Sequence, residues 1–359
     1  MTVISIPSPG PPSSKGKVLL TGGTGFVASH VLDSLLDHGF DVVVTARSEE
    51  KGRRIVKSID SALGKQVSYV VVEDVASEGA FDDAVKSDPP FDYVIHTASP
   101  YQLRFDDPVK ECLDPAIKGT TGILKSIKAH ATAVKRVIIT SSSAAILSPP
   151  NHRDVYDESC WSDVTWEQAM DPAEAYRASK KFAEKAAWDF ITTSSPTFDL
   201  ATINNTYTFG PLPRSLAALA HSTVNTSNRR IYDMVRGGMR ERIAPTAPVF
   251  TFVDVRDVAL AHVRAMTVPE AGGKRFYVVG GFFSNMKIAG VIRRAYPELA
   301  GRVLPTTVEG DDFPEGHWRF DNSRSKEVLG IEYRGLEGSV RDTVKSILRF
   351  GGGEEVEKE

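Results

Sequence analysis

Residues 17–28 read KVLLTGGTGFVA, and this stretch decides the fold. Lys17–Thr21 is a short apolar run that ends at glycines, and from Phe26 the apolar residues recur with helical spacing: Phe26, Val27, Val31, Leu32, Leu35 and Leu36. A strand, a glycine turn and a helix therefore follow one another. Gly22 permits a tight turn, Gly25 removes a side chain where backbone must approach a pyrophosphate, and Ala28 lets the helix pack close to the strand. The N–H groups at the start of the helix then face the phosphates. A G-x-x-G-x-x-A string alone is a weak signal, but between a strand and an amphipathic helix it points to dinucleotide binding. The candidate contacts in the turn are Gly22, Thr24, Gly25, Phe26 and Val27.

Outward from this turn, strand and helix patterns alternate. Strands are expected at 41–45 (DVVVT), 67–72, 93–96 and 136–140 (RVIIT), with helices at 49–63 and about 108–130 between them. The strands are rich in valine and isoleucine and apolar on both faces, which marks a parallel sheet covered on two sides. The fold class is thus α/β, a doubly wound Rossmann-type parallel sheet with a smaller C-terminal substrate-binding lobe, and its ligand lies beyond the carboxyl ends of the strands. After Ser143 a polar excursion runs to Asp171, then a helix over about 173–193 and a strand at 200–203 are expected. The sheet domain spans 15–204 with 249–280, and the lobe spans 205–248 and 281–350. Residues 1–14, rich in proline and serine, read as a disordered leader, and 351–359 (GGGEEVEKE) as a flexible acidic tail.

The chain has 359 residues, with 43 Lys and Arg against 46 Asp and Glu, a formal charge of −3. That balance gives no electrostatic footprint for nucleic acid or an anionic membrane, and no apolar run has the length of a membrane span. Two cysteines, Cys112 and Cys160, make neither a disulfide framework nor a cysteine-based metal site. The eight histidines form no metal-ligand pair. No metal is expected, and the setting is taken as reducing and cytoplasmic. Asn204 and Asn225 start N-x-S/T sequons that are read as chance matches.

Two further clusters carry chemistry. The second strand ends at Thr45-Ala46-Arg47-Ser48 with no acid for a ribose 2′-hydroxyl. Arg47, with Lys51 four residues on, suits a 2′-phosphate instead, which favours NADPH over NADH. Glu49 and Glu50 leave open that these are merely surface charges. On the helix after the excursion, Tyr176 and Lys180 lie four residues apart and share a face. An ammonium beside a phenol favours the phenolate, so the tyrosine can exchange a proton with a carbonyl or alcohol. Thr140-Ser141-Ser142-Ser143, at the end of the fifth strand, supplies hydroxyls on the same edge of the sheet.

Taken in order, LLTGGTGFVASHV, VVTARS, the aspartate of VEDV, HTASP, IKGTTGILKSI, RVIITSS, AYRASKKFAEKAAW, TFGP and VDVRDVALAH resemble the extended short-chain dehydrogenase/reductase superfamily. Within it the chain is similar to fungal NADPH-dependent methylglyoxal, aldehyde and ketone reductases related to plant dihydroflavonol reductases, over about residues 17–350. The resemblance implies that Gly22, Gly25 and Phe26 hold the pyrophosphate and that Arg47 and Lys51 face the 2′-phosphate. It implies that Asp74 and Val75 border the adenine and that Thr97, Ala98 and Ser99 pass under the cofactor. Tyr176 becomes the proton donor, Lys180 the holder of the nicotinamide ribose, and Ser142 the catalytic serine, with Ser143 one register away as competitor. Thr140, Asn205 and Thr206 complete the expected cofactor contacts, and Tyr101, Ser143 and Tyr207 the expected substrate contacts.

Two departures stand out. Asn205 occupies a position where such proteins usually carry proline, and Ser143 one where many carry a bulky aromatic. The second predicts a wider or more polar substrate pocket. Asp254-Val255-Arg256-Asp257 reads as structural, a helix cap that pins the lobes. The expected activity is NADPH-dependent reduction of a small carbonyl substrate by a monomer or homodimer. The alternatives are an NAD-dependent nucleotide-sugar epimerase or dehydratase and a catalytically silent NADP-binding module.

Overall fold

A computed structural model describes residues 14–59, 66–99, 106–213, 224–303, 312–314 and 316–350. The expected leader (save Ser14), the expected tail and Tyr101 lie outside the described residues. The chain runs β1 (Lys17–Thr21), α1 (Phe26–Asp37), β2 (Asp41–Ala46), α2 (Glu49–Ser58), β3 (Val67–Val71), β4 (Tyr93–His96), α3 (Asp114–His130) and β5 (Arg136–Thr140). It continues through β6 (Val155–Tyr156), α4 (Pro172–Ser194), β7 (Asp199–Asn205), β8 (Tyr207–Phe209), α5 (Thr226–Val235), β9 (Thr251–Asp254), α6 (Val255–Thr267) and β10 (Lys274–Val278). The last elements are β11 (Gly281–Phe282), α7 (Asn285–Ala295), β12 (Arg319–Phe320), α8 (Ser323–Leu329) and α9 (Leu336–Phe350).

Seven strands form one parallel sheet in the order β10-β7-β5-β4-β1-β2-β3. Alternation within β1 shows why both faces are apolar. Val18 and Leu20 join the core under α1 and α6, and Leu19 joins the opposite core with Ile123, Leu124 and Ile127 of α3. Strand order reverses between β1 and β4, so a crevice opens there at the carboxyl edge. A smaller sheet, β11-β9-β8, carries the second lobe, whose core gathers Phe209, Ile231, Met234, Phe252, Phe283, Ile288 and Val344. The stretch 249–280 divides between the two bodies, since β9 pairs in the small sheet and β10 in the large one. Arg256 links them: it pairs with Asp254 at the end of β9 and with Asp342 on α9, while Asp257 pairs with Arg334.

Besides shifts of one residue at the ends of β2 and β3, three elements differ from the sequence-based expectation. The helix predicted over 49–63 stops at Ser58, because Ile59 turns to extended backbone and the Ser58 hydroxyl donates to the Ile55 carbonyl; residues 60–63 lie outside the described residues. The helix predicted from 108 opens with a π turn at Val109–Leu113, where Asp114 N–H reaches back to the Val109 carbonyl. Pro115 follows and has no N–H to continue a regular ladder. Finally, β7 runs two residues past its expected end, to Asn205, because β10 pairs along it as far as Val278. Among the described residues no helix is long and apolar enough to cross a membrane.

Two histidines are sealed in the sheet domain. Burial holds His96 at the end of β4 down to about 3, with the Lys180 charge adding to it, and holds His262 of α6 down to about 4. Unfolded, each would titrate at about 6.5. Between those values the unfolded chain binds more protons, so acidification favours unfolding by on the order of 1.4 kcal/mol per pH unit per histidine. The melting temperature is expected to fall between about pH 6.5 and pH 4.5, and less steeply in His262→Gln. Equal slopes for the two proteins would remove His262 from the account.

Candidate active site

The β1–α1 turn is a cradle of backbone. Gly22 has φ +71°, and a Cβ there would stand 3.0 Å from the Ala98 backbone. Its N–H donates to Thr45 Oγ1 at 3.1 Å, and the Gly25 N–H donates to the Gly22 carbonyl at 2.9 Å. Gly25 is exposed and caps α1 with no side-chain hydrogen bond. The first-turn N–H groups therefore meet no side-chain acceptor, and the helix dipole adds its positive end. Thr24, Phe26 and Val27 are half-buried around the turn. The Phe26 ring packs edge-on against His30, whose Nε2 sits 2.9 Å from the Pro211 carbonyl.

At the crevice between β1 and β4, one hydroxyl joins the two strand ends. Thr21 Oγ1 accepts from the Thr97 and Ala98 N–H groups, at 3.2 and 3.1 Å. Its own hydrogen is then left for His96 Nδ1 at 2.9 Å, which makes His96 the neutral Nε2–H tautomer. This agrees with its lowered pKa. Thr97, Ala98 and Ser99 thus follow β4 at the crevice, and all three are half-buried.

At the far end of β2, Arg47 and Lys51 are exposed. Among the described residues neither forms an ion pair. The neighbouring acids are occupied: Glu49 pairs with Arg53 and accepts from the Tyr69 hydroxyl at 2.7 Å, and Glu50 pairs with Arg54. These two bonds hold the Glu49 carboxyl below its ordinary range, Tyr69 contributing most. Exposed pairs of this kind add little stability, but among the described residues Arg47 and Lys51 are left without a carboxylate partner. Asp74 is exposed and spends both oxygens on its own turn, accepting from Ala76 N–H and Ser77 Oγ; Val75 next to it is half-buried against Gly119.

The three serines after β5 differ in what they can do. Ser141 is buried and donates to Glu184. Ser143 is buried at 5% exposure. Ser142 is half-exposed, and its Oγ accepts from Ala144 N–H at 3.1 Å, so the hydroxyl hydrogen is unspent among the described contacts. α4 packs against this turn. On α4, Tyr176 and Lys180 sit as the spacing predicts, with Lys180 Nζ 5.7 Å from the centre of the Tyr176 ring. The same ammonium donates to Ser99 Oγ at 3.0 Å. Burial pulls the Lys180 pKa down to about 8, against a smaller opposing effect of Cys112.

Other candidates are placed less directly. The Thr140 hydroxyl is committed to His262 Nε2 at 2.7 Å, and His262 donates through Nδ1 to the Val258 carbonyl. Thr206 is buried, its hydroxyl bonded to Thr251. Any contact of these two with a cofactor falls to their backbone. Asn205 donates through Nδ2 to Thr208 Oγ1 at 3.0 Å, while its Oδ1 is a buried acceptor without a partner. The Tyr207 ring packs toward the lobe core, 5.7 Å from both Phe209 and Phe283, with the Arg230 guanidinium 4.4 Å above it.

Sequence reading passed over one group. Glu184, two turns beyond Tyr176, is buried with Arg275 of β10, Ser141, Thr202 and Asn204. The signal was present: positions 176, 180, 184 and 188 form one helical stripe, and an acid at the third of them needs a partner inside. Asn204, at 0% exposure, spends its amide on this network.

The parts agree with a dinucleotide that carries a 2′-phosphate. A backbone cradle that any Cβ would narrow suits the pyrophosphate, and two unpaired cations suit the extra phosphate. The Tyr176–Lys180 pair and the Ser142 hydroxyl stand at the same edge of the sheet, residue types suited to moving a proton to or from a carbonyl oxygen.

The sequence pattern of the NAD dependent epimerase/dehydratase family matches residues 18–280. A ketoreductase of Aspergillus niger, azaE, is 54% identical over 92% of this chain and 97% of its own length. The NADPH-dependent methylglyoxal reductase GRE2 of Saccharomyces cerevisiae is 34% identical over 93% of this chain and 99% of its own. The crystal structure of Candida albicans Gre2 in complex with NADPH superposes with a TM-score of 0.86 at 35% identity, covering 93% of this chain and 99% of that one. The chain therefore belongs to the NAD dependent epimerase/dehydratase family, among the extended short-chain dehydrogenases/reductases, and its full-length relatives named here are fungal reductases.

Proposed function

We propose that the chain is an NADPH-dependent carbonyl reductase that converts an aldehyde or ketone to the alcohol. The observation that carries it is the pairing on α4: the Lys180 ammonium lies beside the Tyr176 ring, at the edge where Ser142 presents an unspent hydroxyl hydrogen. NADPH supplies the hydride when bound. Gly22, Gly25 and the first turn of α1 hold its pyrophosphate, with Thr24, Phe26 and Val27 around them. Arg47 and Lys51 hold the 2′-phosphate, and Thr97 to Ser99 support it from below. Ser142 Oγ donates to the substrate oxygen and fixes its place. Tyr176 then gives its phenolic proton to that oxygen, and Lys180 lowers the energy of the phenolate left behind. Ser142 rather than Ser143 takes this role because Ser143 is buried.

The substrate class is a small ketone or aldehyde, in keeping with the ketoreductase and the methylglyoxal reductase among its relatives. Two buried, unpaired cysteines fit a reduced, cytoplasmic setting, with the protein as monomer or homodimer. The epimerase reading draws on the family name, but Arg47 and Lys51 disfavour a cofactor without the extra phosphate.

The first test follows nicotinamide absorbance with NADPH and NADH against a panel of aldehydes and ketones. NADPH-selective turnover is expected, and Tyr176→Phe should lower it by about 10²- to 10⁴-fold while NADPH still binds. Ser142→Ala should cost roughly tenfold or more, and Ser143→Ala less. Protein purified with tightly bound NAD and inert toward every carbonyl would favour the epimerase instead. Arg47→Ala should raise the KM for NADPH about ten- to a hundredfold and leave that for NADH almost unchanged; an equal loss with both cofactors would place Arg47 elsewhere. Because Lys180 loses its charge as pH rises through about 8, kcat for reduction should decline above that value. A flat profile to pH 9.5 or so would mean that the ammonium does not assist Tyr176.

A further inference from the structure

Glu184 lies on the stripe of α4 that carries Tyr176 and Lys180, one turn beyond the lysine. Its side chain is 1% exposed. Oε1 accepts from Arg275 Nε at 2.6 Å, Thr202 Oγ1 at 3.1 Å and Trp188 Nε1 at 3.3 Å. Oε2 accepts from Ser141 Oγ and from Asn204 Nδ2 at 2.6 Å. Asn204 Nδ2 also approaches the Ser142 carbonyl at 3.4 Å. One carboxylate thus joins the helix of the proton donor to the strand end that carries the substrate-binding hydroxyl, and to β7 and β10 beside it. Arg275 is fixed in turn by the Glu158 and Cys160 carbonyls, at 2.6 and 2.7 Å, and by the Trp161 ring 3.7 Å away.

We infer that Glu184 is a positioning residue, which sets the Ser142 turn against Tyr176 and Lys180 so that one carbonyl oxygen meets both hydroxyls. The inference rests on the carbonyl-reductase reading of that site. Stability alone does not account for the arrangement, since a buried ion pair is commonly replaced by neutral groups at no loss. What neutral groups cannot copy is a single anchor accepting from five side chains on β7, β10, the turn after β5 and its own helix. Two hydroxyls that must share one oxygen tolerate little error, and a displacement near 1 Å can cost about a hundredfold in rate.

The test compares Glu184→Gln, the double variant Glu184→Gln/Arg275→Met, and Ser141→Ala, which keeps the ion pair. For each, kcat, the KM of the carbonyl substrate, the Kd of NADPH by fluorescence, the isotope effect with NADPH deuterated at the transferred position, and the melting temperature are measured. Glu184→Gln should lower kcat roughly ten- to a hundredfold and raise the isotope effect, with the NADPH Kd within about twofold. In the double variant the unpaired charge is gone, so the melting temperature should recover while kcat stays low. Ser141→Ala should show a smaller drop of the same kind, which keeps the inference testable if the others fail to fold. Recovery of both stability and wild-type kcat in the double variant, or an unchanged kcat and isotope effect in Ser141→Ala, would overturn it. Turnover that survives Tyr176→Phe would overturn the reading of the site instead.

Discussion

A carboxylate inside a parallel sheet domain is costly unless charge and hydrogen bonds meet it from every side. Glu184 is met in that way, by Arg275 from β10, by Thr202 and Asn204 from β7, by Ser141 after β5 and by Trp188 from its own helix. The satisfied network fixes how α4 lies along the carboxyl edge of β5 and β7. The rest of the site inherits that placement, since Tyr176 and Lys180 are carried by α4 and Ser142 by the turn beside it.

The other half of the crevice uses neutral groups for the same purpose. Thr21 joins β1 to the segment after β4 through one hydroxyl that accepts twice and donates once, and His96 is neutral because it is buried there. The two halves differ in their chemistry: a charged anchor joins α4 to β7, β10 and the turn after β5, and a hydroxyl seam joins β1 to the segment after β4. At the open end of β2 the bonding is looser, with exposed acid–base pairs on α2 that keep Glu49 and Glu50 away from Arg47 and Lys51.

Much of this was legible beforehand because local rules dictate it. The strand–glycine–helix order of residues 17–28, the valine-rich strands and the four-residue spacing of Tyr176 and Lys180 each follow from short-range geometry. Arg47 was legible as a phosphate ligand by the absence of an acid nearby, yet Glu49 and Glu50 left the matter open. In the structure those two acids pair with Arg53, Arg54 and Tyr69, and Tyr69 lies on another strand, outside the reach of local spacing. The same limit explains the length of β7, which depends on the pairing of Asn205 with Val278 of β10; the π turn before α3 is by contrast local, beside Pro115.

By itself, then, the amino-acid sequence determined the doubly wound sheet, the glycine turn that opens α1 and the shared helical face of Tyr176 and Lys180, because each is written in residues near one another in the chain. Only the tertiary structure decided which of three adjacent serines is accessible, that Thr140 and Thr206 spend their hydroxyls on other elements, and that Glu184 finds Arg275 ninety-one positions away. Burial and hydrogen-bond partnership are properties of packed surfaces, and residues far apart in sequence make those surfaces.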